Sequence, residues 1–491
     1  MTSSRVARAS LWALAGGTSQ YLITFGLLLY LARVLDPRDF GLMATVGIGL
    51  ELGTQIVRWG QVELLQQNRY QNDAMRNQAL RVSLALAIIF AAIFLVVARP
   101  ISEAYNSAEL ATMFYLCAPV FLFTAMHATA DGILRSEFRF RKLAYRGSIA
   151  AIIGGIAAIG VVALGFGALA LAAQRLVQSG VSAIWVWSAI TWRPAFTRHM
   201  PVSVSFLRDG GHTMVAALLP ALVPRSIDLC ITVLLGPTQL GLYKIAYRIF
   251  EFTAQLAIMP LVSVAGAQLA RSANNLRSLR QSYLRFTQVS ASVLCPAMIG
   301  FAIVAPEAIH FLFGPKWEAA VPLAQMISVL AITSPPNYFF PAAMIAIGQS
   351  RLLIRQGILQ IIVGLGLAIV AAQYSLAAVL LTQIVRGVLL TAYNFRDMRR
   401  FAGLRFREVV VGLAPPYIAT AVMAAILLPM RLLLAGNVPP LALLIILVVT
   451  GGVSYGATIL VGVRLRYWPN FLDVIAQWIP ARLLRLVKPL V

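Results

Sequence analysis

Charged side chains inside long apolar segments are the residues of this sequence that are best suited to chemistry. An ionisable group at such a position costs about a few kcal/mol or more, so by default it marks a cavity or a ligand path. Six basic residues occupy such segments: Arg58, Arg175, Arg225, Lys244, Arg248 and Arg386. Three acids accompany them: Glu51, Asp228 and Glu251. Because guanidinium and ammonium groups in a partly dry site bind phosphates and carboxylates strongly, the pattern favours binding of an anion.

The spacing of these charges predicts polar stripes on helices. At about 100° per residue, Lys244, Arg248 and Glu251 fall within about 60° of one another on one helix. Glu51 and Arg58 have the same seven-residue separation and therefore share a face of an earlier helix. Each stripe is a candidate lining for a cavity, because charged groups at such positions are otherwise costly.

Two alternatives stay open for these charges. Arg225 and Asp228 lie one helical turn apart, so they either line the cavity or form an internal ion pair. The same choice applies to Arg248 and Glu251. The acids Glu51, Asp228 and Glu251 either bind an H⁺ or Na⁺ whose gradient drives transport, or only balance the neighbouring cations.

The remaining in-segment cations and the histidines and cysteines carry weaker signals. Arg175 and Arg386 lie in glutamine-rich settings and face either the cavity or a neighbouring helix. The cysteines and histidines are scattered, with no CxxC pair and no histidine cluster. We therefore predict no catalytic residue, no metal site and no cofactor, and we interpret the cysteines as buried small apolar residues.

The elements that must position these charges are membrane-spanning helices. The chain has 491 residues, of which 60% are hydrophobic and only 12% charged, which excludes an ordinary water-soluble domain. A spanning helix needs about 20 mostly apolar residues, so the sequence predicts an all-α polytopic membrane protein. The apolar runs predict about 14 transmembrane helices, at residues 10–33, 40–62, 77–98, 110–133, 147–165, 169–192, 211–235, 239–264, 283–305, 321–346, 354–372, 375–395, 409–429 and 441–463.

The distribution of positive charge predicts the orientation. The formal net charge is +23, and about 29 of the 40 Lys and Arg residues fall in alternate connections on one side. Both termini are therefore expected in the cytoplasm. The arginine-rich connections are expected to contact anionic membrane lipids rather than nucleic acid. The basic tail at residues 464–491 is expected to lie as an amphipathic helix in the membrane interface.

Internal similarity predicts a duplicated architecture. Residues 35–42 (LDPRDFGL) and 235–242 (LGPTQLGL) match at four of eight positions, and two weaker similarities follow in the same order. Six predicted spans separate the two copies, and an even number preserves the direction across the membrane. We expect a six-helix N-lobe at residues 1–209, a parallel six-helix C-lobe at 210–400, and two appended helices at 401–463.

Residues 31–44 (LARVLDPRDFGLMA), the FLFGPKW segment at 311–317 and the arrangement of six, six and two spans resemble one known family. It is the polysaccharide transporter (Wzx-like) family of the multidrug/oligosaccharidyl-lipid/polysaccharide (MOP) exporter superfamily. The resemblance implies a MATE-like fold in the bacterial inner membrane. In that fold the first, second, seventh and eighth spans meet across the two lobes, so the resemblance also implies that the charged stripes line one net-cationic central cavity. It also implies a flippase that moves undecaprenyl-diphosphate-linked oligosaccharide repeat units to the outer leaflet by alternating access, for exopolysaccharide, capsule or O-antigen assembly. A polysaccharide polymerase complex is a further partner that the resemblance suggests.

Two rival functions stay open. A multidrug-type exporter of the same superfamily would favour an acidic cavity, which the basic stripes argue against. A membrane polysaccharide polymerase would need catalytic acids, and Asp36 and Asp39 in the first outer connection are the available pair. Such enzymes need larger outer loops than this chain offers, so we predict that the protein is not an enzyme. Asp39 is instead predicted to be the N-cap of the second span.

Overall fold

A computed structural model describes residues 3–195, 203–468 and Phe471. In the described part of the chain the regular structure is helical, with no strand. The α-helices are α1 (Ser3–Val34), α2 (Pro37–Arg58), α3 (Gln61–Leu64), α4 (Asp73–Ala104), α5 (Ala108–Ser136), α6 (Phe140–Ala163), α7 (Leu169–Ala189), α8 (Val204–Leu235), α9 (Pro237–Ala257), α10 (Met259–Arg271), α11 (Leu276–Phe313), α12 (Val321–Ala346), α13 (Arg351–Ala372), α14 (Leu376–Ala402), α15 (Phe406–Leu434) and α16 (Pro440–Arg464).

The predicted spans all fall on helices, although their number is not confirmed. Eleven helices among the described residues are long and apolar enough to cross a membrane. The pair α9–α10, bent by 46° at a break where Pro260 lacks a backbone N–H, makes a twelfth if it counts as one span. Neither α1 nor α7, both of which carry a predicted span, is among these helices. The polar residues Gln174, Arg175 and Gln178 of α7 lower its mean hydropathy. The all-α membrane class is confirmed. The predicted tail helix at 464–491 lies almost entirely outside the described residues.

The chain divides into two compact units, Met1–Gly241 and Leu242–Val491. This division places α8 in the first unit, where it packs on α2 and α3. The lobes expected at residues 1–209, 210–400 and 401–463 stay a prediction.

The first unit is built around α5, which packs on α2, α4 and α7. Its core includes a cluster of aromatic rings, in which the centroid of Phe94 lies 5.0 Å from that of Phe114 and 4.7 Å from that of Phe121. Gly53 brings α2 close to this cluster, because a Cβ at that position would come within 2.6 Å of the Phe121 ring. Glu51 is two residues from Gly53, about 200° around the helix, and therefore lies on another side of α2.

The second unit is organised by α11, which has 38 residues and contacts α12, α15 and α16. At 1.5 Å per residue it is about 57 Å long, well beyond the ~30 Å hydrocarbon thickness of a bilayer. The appended helices α15 and α16 are tied to it by polar contacts. Arg431 Nε donates to both carboxylate oxygens of Glu307, at 3.0 and 3.3 Å, and the Tyr455 hydroxyl donates to the Ser292 carbonyl at 3.0 Å.

The prolines of α12 are accommodated by neighbouring helices. Pro335 and Pro336 cannot donate to the carbonyls one turn earlier, those of Ala331 and Ile332. The thiol of Cys295 in α11 donates to the first of these carbonyls at 3.3 Å, and the hydroxyl of Tyr417 in α15 donates to the second at 2.6 Å. The freed acceptors are therefore paired, and α12 continues as a helix through both prolines.

The two copies of the repeated motif have the same local structure. A proline begins the helix in each, Pro37 in α2 and Pro237 in α9. Asp36, not Asp39, is the N-cap of α2, so the prediction for Asp39 was wrong. Asp39 is the third helical residue, and its carboxylate accepts the Asp36 backbone N–H at 3.0 Å, which completes a capping box.

The same two turns approach each other very closely. A Cβ added at Gly41 would overlap the carbonyl oxygen of Pro237, and a Cβ added at Gly241 would overlap that of Pro37. All four residues belong to the first unit. Glycine at both positions therefore permits a reciprocal backbone contact that the sequence repeat did not by itself predict.

Candidate functional site

Arg225 links two acids on two helices of the first unit. Its guanidinium lies 2.5 Å from Glu51 Oε2 in α2 and 2.6 Å from Asp228 Oδ2, one turn further along α8. Asp228 is fully buried, whereas the Glu51 side chain is 47% exposed. The Arg225–Asp228 ion pair is thus formed, and α2 supplies a third member that the sequence did not connect with it. The triad of two carboxylates and one guanidinium carries a formal charge of −1.

The position of this triad follows from the contact between α2 and α8. α8 remains helical through Pro220 and Pro224, and Arg225 directly follows the second of these prolines. Because each proline leaves a carbonyl one turn earlier without its helical donor, this is the part of α8 where backbone polarity is concentrated. The charged side chains and the prolines therefore share one stretch of the helix.

Arg58 belongs to a different part of the first unit. It is the last residue of α2, which ends because Trp59 and Gly60 both take left-handed backbone conformations, with φ of 34° and 78°. Gly210 in α8 allows the Trp59 ring to lie against the backbone, and Phe206 packs edge-on against Trp59 at 5.3 Å. This packing fixes the helix end at which the Arg58 side chain emerges.

Arg58 lines a cavity of about 290 Å³ that sequence reasoning missed. Two further arginines, Arg135 at the end of α5 and Arg146 in α6, share this cavity with Asp131 and Glu63. Arg146 forms a short ion pair with Asp131. The signal that could have identified the site is the arginine-rich connection at residues 135–146, for which contact with anionic lipids is the prediction from sequence.

Arg175 stands apart from both groups in the first unit. It lies on α7 with an exposed side chain, and it is close enough to Cys117 in α5 to interact with it electrostatically. No hydrogen bond or ion pair joins its side chain to another described residue. The structure therefore does not bring Arg175 together with Arg58 or Arg225, and its binding role stays a prediction.

In the second unit, the charges of α9 lie among aromatic rings. Arg248 Nη1 donates to Glu251 Oε2 at 3.2 Å, so the second internal ion pair is also formed. Lys244 Nζ lies 5.8 Å from the centroid of the Tyr243 ring. The Tyr243 and Tyr247 rings lie 5.7 Å apart and extend this surface. The predicted stripe on α9 is thus a mixed cationic and aromatic surface.

Arg386 in α14 lies near the same surface. It interacts electrostatically with Tyr243 and Tyr247, and its Nη1 is buried with no hydrogen-bond partner among the described residues. Gly364 in α13 gives the side chain room, since a Cβ there would lie 3.1 Å from Arg386 Cδ. The structure therefore associates Arg386 with the α9 stripe, a grouping that the sequence left open.

The scattered cysteines and histidines form no metal centre among the described residues, where no group of three or more His, Cys, Asp or Glu could hold an ion. Cys117, Cys230 and Cys295 are buried in three different helices, as predicted. The arginine and lysine side chains described above are chemically suited to holding anions by charge and hydrogen bonds.

Sequence comparison gives consistent matches. Residues 30–322 match the sequence model of a family described as "Polysaccharide biosynthesis protein". The chain is 23% identical over 418 residues to the succinoglycan biosynthesis transport protein ExoT of Rhizobium meliloti (strain 1021), covering 84% of each chain. It is 20% identical over 307 residues to the lipopolysaccharide biosynthesis protein WzxC of Escherichia coli (strain K12), covering 62% of each.

Solved structures share the fold. The chain is similar to the lipid II flippase MurJ in an inward closed conformation, with a TM-score of 0.73 and 13% sequence identity, over 92% of this chain and 99% of that one. It is also similar to an inward-facing multidrug resistance MATE family transporter of the MOP superfamily, with a TM-score of 0.56 and 16% identity, over 80% and 94% of the two chains. At these identities the similarity establishes the fold alone, and it confirms the MATE-like class.

Proposed function

Because the chain belongs to the polysaccharide biosynthesis protein family of MOP-type transporters, we propose that it is a flippase for undecaprenyl-diphosphate-linked oligosaccharides. It would move single repeat units from the inner to the outer leaflet by alternating access. The observation that carries the proposal is the similarity, over most of both chains, to a protein named for succinoglycan transport. The shared fold with a protein named as a lipid II flippase supports the same class of cargo.

The cationic residues would hold the anionic part of the cargo. A diphosphate carries several negative oxygens that guanidinium groups bind in pairs. Arg58 would contribute such contacts within the first unit, and Lys244, Arg248 and Arg386 would do so within the second. In the second unit the partly exposed Tyr247 beside this stripe would face sugar rings. Arg175 is assigned to the same role on its charge alone.

The triad of Glu51, Arg225 and Asp228 would couple transport to an ion gradient. Its two carboxylates share the guanidinium of Arg225, and either carboxylate is a group that can take up a proton or a Na⁺. Uptake changes the charge of that carboxylate. Since neutral and charged forms of such a group favour different surroundings, ion uptake can drive the return to the starting state. In the second unit, Arg248 pairs with Glu251, so that acid would balance charge.

The protein would lie in the bacterial inner membrane with both termini in the cytoplasm. The excess of Lys and Arg in alternate connections supports that orientation. Anionic lipids would contact the basic connections, and a polysaccharide polymerase would receive the cargo on the outer face.

The test is the leaflet in which lipid-linked single repeat units accumulate when the protein is removed, in a host that survives the loss. Accumulation at the cytoplasmic face, reversed by the wild-type chain, is the expected result. Accumulation of unpolymerised units at the outer face would instead indicate a polymerase. If nothing accumulates, the flippase proposal is refuted, and a drug-export assay would follow.

A further inference from the structure

We propose that the cavity lined by Arg58, Arg135 and Arg146 is a binding pocket for the phosphate groups of a lipid headgroup. The inference rests on the proposed function for the identity of the preferred lipid, a polyprenyl diphosphate. The pocket lies wholly within the first unit, where the ends of α2 and α5 meet α6. It is separate from the Glu51–Arg225–Asp228 triad, whose guanidinium is already shared by two acids.

The partners of Asp131 leave the pocket with unused positive charge. Asp131 is buried. One of its carboxylate oxygens forms a short ion pair with Arg146, and His127 Nδ1 lies 3.9 Å from the other oxygen. Its negative charge is therefore neutralised by Arg146. The guanidinium groups of Arg58 and Arg135 form no hydrogen bond or ion pair with any other described residue, and Glu63 is the remaining acid in the pocket. Three arginines against two acids give a net charge of +1 before a ligand binds.

A buried N–H donor in this cavity also indicates that an anion binds there. The Nε atom of Arg146 is buried and has no hydrogen-bond partner among the described residues. A buried donor is normally satisfied, so a partner is expected from outside the chain. An oxyanion with several acceptor oxygens can accept from this atom and from the exposed guanidiniums of Arg58 and Arg135 at once. A neutral sugar offers no charge, and a single carboxylate offers only two oxygens for three arginines.

The size of the pocket limits the ligand to a headgroup. A volume of about 290 Å³ is at the lower end of the range of ~300–1,000 Å³ for small-molecule sites. It suits one or two phosphate groups, with the rest of a lipid outside. By the orientation predicted from positive charge, this end of α2 and α5 faces the cytoplasm, where a lipid-linked repeat unit is completed. The pocket would therefore hold the cargo headgroup at the beginning of the transport cycle.

The experiment measures binding to the full-length protein in detergent. The probes are undecaprenyl diphosphate, phosphatidylglycerol and inorganic pyrophosphate, each titrated separately. The variants are Arg58→Gln and Arg135→Gln, which remove no hydrogen bond or ion pair within the described residues. The matched control is Arg139→Gln, in the same connection as Arg135 but paired with Glu137 outside the pocket. Thermal unfolding without ligand confirms that each variant folds.

We expect each pocket variant to weaken the binding of undecaprenyl diphosphate about tenfold or more, with no change for Arg139→Gln. If phosphatidylglycerol binds with equal affinity and its binding is weakened by the same variants, the ligand is an anionic phospholipid. If only pyrophosphate binding is weakened by these variants, the ligand is a free phosphate. If the wild type and both variants bind all three probes with equal affinity, the proposal that this cavity binds phosphate groups is refuted. A transport assay on the wild type separates the two proposals: failure to move the lipid refutes the flippase, while arginine-dependent binding still establishes the pocket.

Discussion

Alanine in place of Gly41 or Gly241 is expected to separate the two repeated turns at residues 35–42 and 235–242. At each position the added Cβ would overlap a backbone carbonyl oxygen, that of Pro237 or that of Pro37. Neither oxygen is at the end of a flexible side chain, so the backbones themselves must move. Because carbon and oxygen atoms are best separated by about 3.5–4.0 Å, the turns would have to part by more than about 1 Å.

The magnitude follows from the stiffness of packed interiors. Extra methyl groups in well-packed sites cost about 1–3 kcal/mol. If the contact opens as a unit, that cost favours its open form by about 5–150-fold at room temperature. The arrangement with the turns in contact would therefore lose most of its advantage over any state in which they are apart.

Amide hydrogen exchange of the two turns is the direct assay. We expect exchange in residues 35–42 and 235–242 to accelerate by about 5–150-fold in each variant. Gly47→Ala is the matched control, because the same helix offers its Cβ open space. It should leave exchange unchanged and stabilise α2 slightly, since alanine is a better helix former than glycine. Unchanged exchange in both Gly41→Ala and Gly241→Ala would refute the reasoning.

Three further predictions follow from polar contacts. Tyr417→Phe leaves the Ile332 carbonyl without its donor. The free energy of unfolding of the second unit, measured with denaturant in detergent, should therefore fall by about 1 kcal/mol. Glu307→Gln removes the partner of Arg431 and should destabilise the same unit by about 1–3 kcal/mol in the same measurement. Arg225→Gln leaves two acids facing each other, so export of lipid-linked repeat units should fall about tenfold or more at normal protein levels.

Each of these predictions has its own control. Tyr374→Phe changes an 80% exposed tyrosine and should leave stability unchanged, so an equal loss in both variants would contradict the first prediction. The double variant Glu307→Gln/Arg431→Gln should recover part of the loss because no unpaired charge remains. Adding Glu51→Gln to Arg225→Gln should restore part of the export because one of the two acids is then neutral, and no recovery would contradict the third prediction.

The fold class and the helix positions could be predicted from the sequence because membrane insertion depends on local hydropathy. Each predicted span coincides with a helix, since a lipid environment permits few other structures for an apolar segment of that length. The number of spans could not be fixed in the same way. The polar residues of α7 reduce its hydropathy, and packing against α5 and α6 accounts for a helix at that position.

The candidate site was only partly predictable. Spacing along one helix identified the pairs Arg225–Asp228 and Arg248–Glu251, since i, i+3 residues are neighbours on any helix. It could not connect Glu51 with Arg225, because that contact depends on how two distant helices pack. The cavity at Arg58 was missed for the same reason, as its arginines lie on three helices.

The sequence by itself determined the membrane class, the helices and the repeated turns, and it identified the residues that could form local ion pairs, because each depends on residues that lie close together along the chain. Only the tertiary structure decided which charges meet: Glu51 with Arg225, Arg146 with Asp131, and Arg386 with the tyrosines of α9. Long-range contacts depend on helix packing, to which small residues such as Gly41, Gly53 and Gly210 contribute by the atoms they lack. A hydropathy pattern records which segments enter the membrane, but it does not record which of their faces touch.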